Sequence, residues 1–190
     1  MDVGAVSPKE KLILTASRLF RKQGYHATGL NQILKESGVP KGSLYHYFPD
    51  GKETLAIEAI HHAGESLHRL IESRLSLHDD PITAISVFID ETADEIFNQE
   101  MIIPSSVSLL ALETASLSEP LRAACEACFR DWESLYARKL SSHGMSEDAA
   151  KKRGALIELM IEGALITALT KQDRESLHLV ADAVRRLGIT

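Results

Sequence analysis

Wherever apolar residues are dense along this chain they recur at intervals of three and four, and no stretch alternates apolar with polar for long enough to suggest a strand. That spacing puts them on one face of a helix, so the pattern predicts helices throughout. Leu12, Ala16, Leu19 and Phe20 form the first such face. Ahead of it Ser7-Pro-Lys-Glu10 has the form of a capping box with proline at the first helical position, and Gly24 closes it. Leu30, Ile33 and Leu34 make a second, short stripe. It ends at Gly38, which can take the left-handed conformation of a helix stop, and Pro40 suits the first turn of a third helix. There Leu44 and Phe48, four apart, point inward, leaving Lys41, Gly42, Ser43, Tyr45 and His46 to face out. Two short helices joined by a tight turn, the second with a polar, partly basic outer face free of carboxylates, are a helix-turn-helix suited to a DNA groove.

Asp50-Gly51 introduces a long helix through Leu55, Ala59, Ala63, Leu67, Leu70 and Ile71 to about Leu77. Asp79-Asp-Pro81 starts a fifth, with Ile82, Ile85, Ile89, Ala93 and Ile96 on its stripe and Asn98-Gln99 at its close. Pro104 to Ala115 is shorter and apolar. Ser118-Glu-Pro120 caps a seventh, carrying Leu121, Ala124, Cys125, Cys128, Trp132, Leu135 and Tyr136 before His143-Gly144. Ser146 opens an eighth to about Thr170, and Asp173 opens the last, to Leu187-Gly188. The expected fold is all-α with nine helices, divided near residue 52.

Ile13 to Phe20, Gly24-Tyr-His-Ala-Thr28 and Lys41-Gly-Ser-Leu-Tyr-His-Tyr-Phe48 together resemble the DNA-binding domain of the TetR family of bacterial transcriptional regulators. The resemblance covers residues 9–60. It implies an N-terminal helix-turn-helix domain over 1–52 and a C-terminal helical domain for ligand binding and dimerisation over 53–190. It also implies that Tyr45 clamps a phosphate, with Thr28-Gly29 and Lys52 gripping the backbone on either side. Pro49-Asp-Gly-Lys-Glu53 is one residue longer than the commoner Pro-x-Lys-Glu. With Leu110-Ala-Leu-Glu-Thr-Ala115 and Ser118-Glu-Pro-Leu-Arg122, it is similar to the subgroup that controls multidrug efflux or flavonoid degradation.

The net charge of −6 at first opposes a nucleic-acid partner, but it is unevenly spread. Residues 1–52 hold eight Lys/Arg against four Asp/Glu, and the remainder holds 13 against 23. A basic reader joined to an acidic body is the picture that results. With 190 residues, 44% of them hydrophobic, the chain can bury a core without staples. No secretion signal or membrane span is legible, since the longest uncharged stretch, Met101 to Leu112, is short and broken by Pro104, so a cytoplasmic protein is expected.

Residues 156–169 are apolar almost all round, interrupted only by Glu158, Glu162 and Thr167. Such a helix needs cover on both sides, from its own domain or from a second subunit. The resemblance favours a homodimer, with Leu156, Met160, Gly163, Ala164 and Thr167 meeting Leu177, Val180 and Val184 of the last helix. Phe88, Phe97, Leu109, Leu112, Cys128, Phe129, Trp132 and Met160 are candidates to line an effector pocket. Glu113 sits among Leu109, Leu110, Leu112 and Ala115, so it either lines that pocket or lies on the surface of the same helix.

Cys125-Glu-Ala-Cys128 has metal or redox spacing, but no second ligand pair exists and both thiols continue an apolar stripe, which reads as packed cysteines. His61-His62 with Glu58 and Glu65 reads as solvated helix neighbours. No catalytic constellation, metal site or cofactor motif is legible. The expected function is a dimeric, ligand-responsive repressor of double-stranded operator DNA, released by a small apolar or aromatic effector. A ligand-independent DNA binder and a helical enzyme are the rivals.

Overall fold

The structure, a computed structural model, describes residues 6–98 and 107–187. Nine helices run through them: α1 Pro8–Gln23, α2 Leu30–Ser37, α3 Lys41–Tyr47, α4 Lys52–Leu75, α5 Pro81–Phe97, α6 Val107–Thr114, α7 Glu119–Ser141, α8 Glu147–Lys171 and α9 Glu175–Leu187. No strand occurs among the described residues. The sixth helix was expected from Pro104, and that residue lies outside them.

The stops and starts legible in the sequence are made by the side chains expected. Ser7 Oγ accepts from the Glu10 N–H at 3.2 Å, Asp80 Oδ2 from Thr83 at 2.7 Å, and Ser146 Oγ from Ala149 at 3.4 Å, each occupying an otherwise orphan donor of a first turn. Ser118 Oγ does the same for Leu121 at 3.3 Å. Gly38 ends α2 in the left-handed conformation, φ +68°.

The chain packs as two compact units, Met1–Ser66 with Ser105–Cys128, and Leu67–Pro104 with Phe129–Thr190. In the first, Leu12, Ala16, Leu19 and Phe20 of α1 are buried with Ile33, Leu44 and Phe48. This small core holds α2 and α3 against α1. Gly64 lets α7 approach α4 here, because a Cβ at that position would stand 2.4 Å from Cys128 Sγ. Both cysteines are free and buried, and burial pushes the Cys125 thiol up to about 11, so they are packed thiols.

In the second unit α9 packs on α5 and α8. Leu177, Ala181 and Val184 are its buried stripe, and Arg174 and His178 reach Asp94 at 2.5 Å and Asp90 at 2.6 Å on α5. Helices α7 and α8 come close at Gly154, where a Cβ would lie 2.5 Å from the Glu133 carbonyl oxygen and 2.9 Å from the Ala137 nitrogen. The α8 stripe that faces inward is Gly154, Ile157, Glu158, Ala164 and Ala168. A carboxylate thus lies in the packed face, while Leu156, Leu159 and Ile166 are exposed.

Glu158 is only 5% exposed, and burial first, then the nearby Glu162 and Glu133 carboxylates, raise its pKa to about 8 from an ordinary 4.5. The folded chain therefore holds this proton more tightly than the unfolded chain. Its contribution is complete below about 4.5 and is lost as pH rises toward 8. We expect Glu158→Gln to match the parent in thermal unfolding at pH 5 and to exceed it by roughly 2–4 kcal/mol at pH 8. An equal gap at both pH values would show that Glu158 ionises normally.

Candidate nucleic-acid interface

Helix α3 is seven residues long and is held from below by two side chains, Leu44 and Phe48, both fully buried. Its other face is open. Lys41, Gly42, Tyr45, His46 and Tyr47 are exposed and Ser43 is half-buried. Tyr45 is 46% exposed, with Lys41 Nζ 6.0 Å from its ring centroid, and the His46 and Tyr47 rings meet edge to face at 5.0 Å. No carboxylate lies on α3. A Cβ built at Gly42 would meet nothing within 4 Å, so no packing inside the protein asks for glycine there. The backbone of α3 is therefore open to close approach from outside at Gly42.

The turn ahead of α2 sets where this face points. Gly24 carries φ +80°, which strains any other residue, and a Cβ on it would displace the Glu113 carboxylate that lies against it. The Gly24 N–H donates to Phe20 O at 2.8 Å, and Thr28 Oγ1 donates to Gly24 O at 2.7 Å. The His26 N–H donates to Glu113 Oε2 at 3.0 Å, tying α6 to this turn. Glu53, at the start of α4, accepts a short hydrogen bond from Ser118 Oγ. Two contacts therefore join the α6–α7 segment to the elements that flank the helix-turn-helix.

The structure brings together most of the residues expected at DNA, and revises one. Thr28 is fully buried, so its hydroxyl serves the turn and reaches no backbone outside the protein. Lys52 is half-buried with Nζ 4.1 Å over the Tyr25 ring, and this burial lowers its pKa while the Glu113 charge opposes the shift. Gly29 is exposed at the α2 N-cap. Tyr47 was not singled out from the sequence, although its place beside His46 in the same motif was a usable signal.

The candidates elsewhere scatter. Glu113, on α6, accepts from the His26 N–H of the α1–α2 turn. Leu112, 78% exposed, and Leu109 stand at the surface, so neither lines an enclosed space. Cys128 lies in the first unit, and Phe88, Phe97, Phe129, Trp132 and Met160 in the second. Trp132 is fully buried with Phe129 edge to face at 5.5 Å, and Phe88 is 6.5 Å from Tyr136. Of the expected dimer residues, Leu177, Val184 and Ala164 are buried inside the protomer, because an α9 packed on α5 and α8 has its stripe already covered. Leu156, Gly163 and Thr167 are exposed, and Met160 and Val180 half-buried. Glu58 pairs with Lys9 at 3.0 Å, and no cluster able to hold a metal occurs among the described residues.

A helix-turn-helix with a partly basic, carboxylate-free outer face, in a chain that is otherwise helical among the described residues, is the arrangement of a DNA-binding regulator. Residues 12–59 match the bacterial regulatory proteins of the tetR family, and residues 81–183 match the C-terminal domain of LmrA/YxaF-like transcriptional regulators. The chain belongs to the TetR family of transcriptional regulators. It is 51% identical over 93% of its length to the uncharacterized HTH-type transcriptional regulator YxaF of Bacillus subtilis, covering 92% of that protein. It is also 43% identical over 94% to the HTH-type transcriptional regulator LmrA of the same organism, covering 97%. Its fold is similar to that of reduced NemR from E. coli, with a TM-score of 0.82 at 22% identity over 95% of this chain and 96% of that one. A TetR regulator from Legionella pneumophila gives 0.79 at 20% identity over 98% and 99%.

The α3 face makes a prediction. Lys41→Ala and Tyr45→Phe should each weaken binding to a cognate duplex by about 1–2 kcal/mol with the fold unchanged, through loss of phosphate contacts. Gly42→Ala should leave the melting temperature unchanged or higher, since alanine favours helix, yet cost at least as much affinity through its added methyl. Full affinity in all three variants by mobility-shift titration would remove α3 as the reader.

Proposed function

We propose that this regulator is a homodimeric, ligand-responsive repressor that binds a pseudo-palindromic operator and is released by a small, largely apolar or aromatic effector. The observation that carries the DNA-reading half is the α3 outer face of Lys41, Gly42, Ser43, Tyr45 and His46 above a buried Leu44 and Phe48. Residues 1–52 are the reader in this reading and residues 53–190 the effector and dimerisation domain. The protein acts in the cytoplasm, without cofactor and without catalysis. Resemblance of Pro49-Asp-Gly-Lys-Glu53 and the 110–122 segment supports a place in the group controlling multidrug efflux or flavonoid degradation.

Dimerisation is supported by an apolar stripe on α8. Leu156, Leu159, Gly163 and Ile166 are all exposed and spaced by three and four, and Leu179 of α9 is exposed too. Large apolar side chains lined up on one helix in this way are a surface for another subunit. Release then follows from linkage: an effector that prefers one dimer shape draws the two readers away from the spacing of about 34–36 Å that adjacent major grooves require.

Leu159, at 69% exposed, gives the cleanest test of the interface, because a charge there leaves the protomer core intact. Leu159→Glu should sediment as a folded monomer and lose operator affinity by more than tenfold, since two half-sites bind as one. A variant that stays dimeric and binds normally would place the interface elsewhere.

A further inference from the structure

A ring, and no paired carboxylate, holds Lys52 in place. Its Nζ stands 4.1 Å from the centroid of the Tyr25 ring, well inside the range over which a ring face attracts a cation. Lys9 and Lys41 lie 6.0 Å from the Phe48 and Tyr45 rings, at the edge of that range. Lys52 makes no ion pair or hydrogen bond among the described residues, whereas Lys9 pairs with Glu58 and Lys151 with Glu147. Glu113 attracts it only through space.

The ring itself is fixed. It meets the fully buried Phe20 ring at 5.7 Å and the His26 ring edge to face at 5.5 Å, and the Tyr25 carbonyl accepts from the Thr28 N–H at 3.2 Å. Tyr25 thus belongs to the α1–α2 turn, while Lys52 is the first residue of α4. That position is unfavourable for a cation, because the first turn is the positive end of the helix dipole and half-burial removes part of the ammonium's water. The ring face offsets both. Attraction to a ring does not tie up the ammonium N–H groups as a carboxylate would, so they stay available to a phosphate oxygen. A lysine stem also has large rotamer freedom, which a solvated lysine gives up on meeting a phosphate and a lysine laid on a ring has given up on folding.

We propose that Tyr25 is a positioning residue for DNA binding, whose ring holds the Lys52 ammonium ready for a phosphate of the duplex. Tyr25 acts through Lys52 and not by a contact of its own. The inference rests on the regulator reading above, in which Lys52 grips the DNA backbone.

The probe is a duplex selected by the parent protein from a randomised pool, followed by mobility-shift titration at several salt concentrations. Lys52→Gln should lower affinity about tenfold and reduce the slope of log affinity against log salt by about one for each reader. Tyr25→Leu should lower affinity about threefold in the parent and leave Lys52→Gln unchanged, while Tyr25→Phe, which keeps the ring face, should bind as the parent does. A ring that only supported the fold would cost the same with and without Lys52. A second measurement needs no Tyr25 variant: in protein isotope-labelled at the lysine ε carbons, the Lys52 ε protons should be shifted upfield by the ring current, both free and on the duplex. An unaffected Tyr25→Leu, equal Tyr25→Leu losses in the two backgrounds, full affinity in Lys52→Gln, or loss of the upfield shift on the duplex overturns the positioning role and leaves the regulator reading standing. A parent protein that selects no duplex overturns that reading, and the role with it.

Discussion

Two hydrogen bonds between His26 and Glu113, one from the His26 backbone N–H to the carboxylate and one between the His26 ring and the Glu113 carbonyl, tie α6 to the turn that precedes α2 and α3. The turn is demanding. Gly24 must take a positive φ with a carboxylate against its α-carbon, and Thr28 must bury its hydroxyl on the Gly24 carbonyl before α2 can begin. Beyond the turn Leu44 and Phe48 are both fully buried, which leaves the polar face of α3 outward. A seven-residue helix has almost no stability of its own, so its orientation is inherited from these contacts.

The same unit shows a route by which events on α6 and α7 can reach the reader. Glu113 on α6 and Ser118 at the cap of α7 both bond to elements beside the helix-turn-helix, one at the α1–α2 turn and the other at Glu53 of α4. These are hydrogen bonds with carboxylate acceptors, stronger than neutral ones and sensitive to small displacements. The second unit is built differently, with α9 locked on α5 by Asp90 and Asp94, and with Gly154 of α8 close against α7.

The sequence by itself determined the helices, their caps and the reading face. Capping boxes, the Gly38 stop and the Leu44/Phe48 pair are local: each needs only neighbours within about a turn, and α1 to α9 begin and end within a few residues of those signals. The motif from Lys41 to Phe48 was legible for the same reason. The tertiary structure decided which of two apolar faces is covered. Leu177 and Val184 read as a stripe open to a partner, yet α5 and α8 cover them, and the exposed stripe is Leu156, Leu159, Gly163 and Ile166. Periodicity reports that a face is apolar and cannot report what lies on it. Glu113 and Glu158 show the same limit more sharply, since each read as a carboxylate interrupting an apolar run. One is held by a backbone N–H 87 positions away in the chain and the other is buried beside two more glutamates, and only contacts between distant segments set those environments.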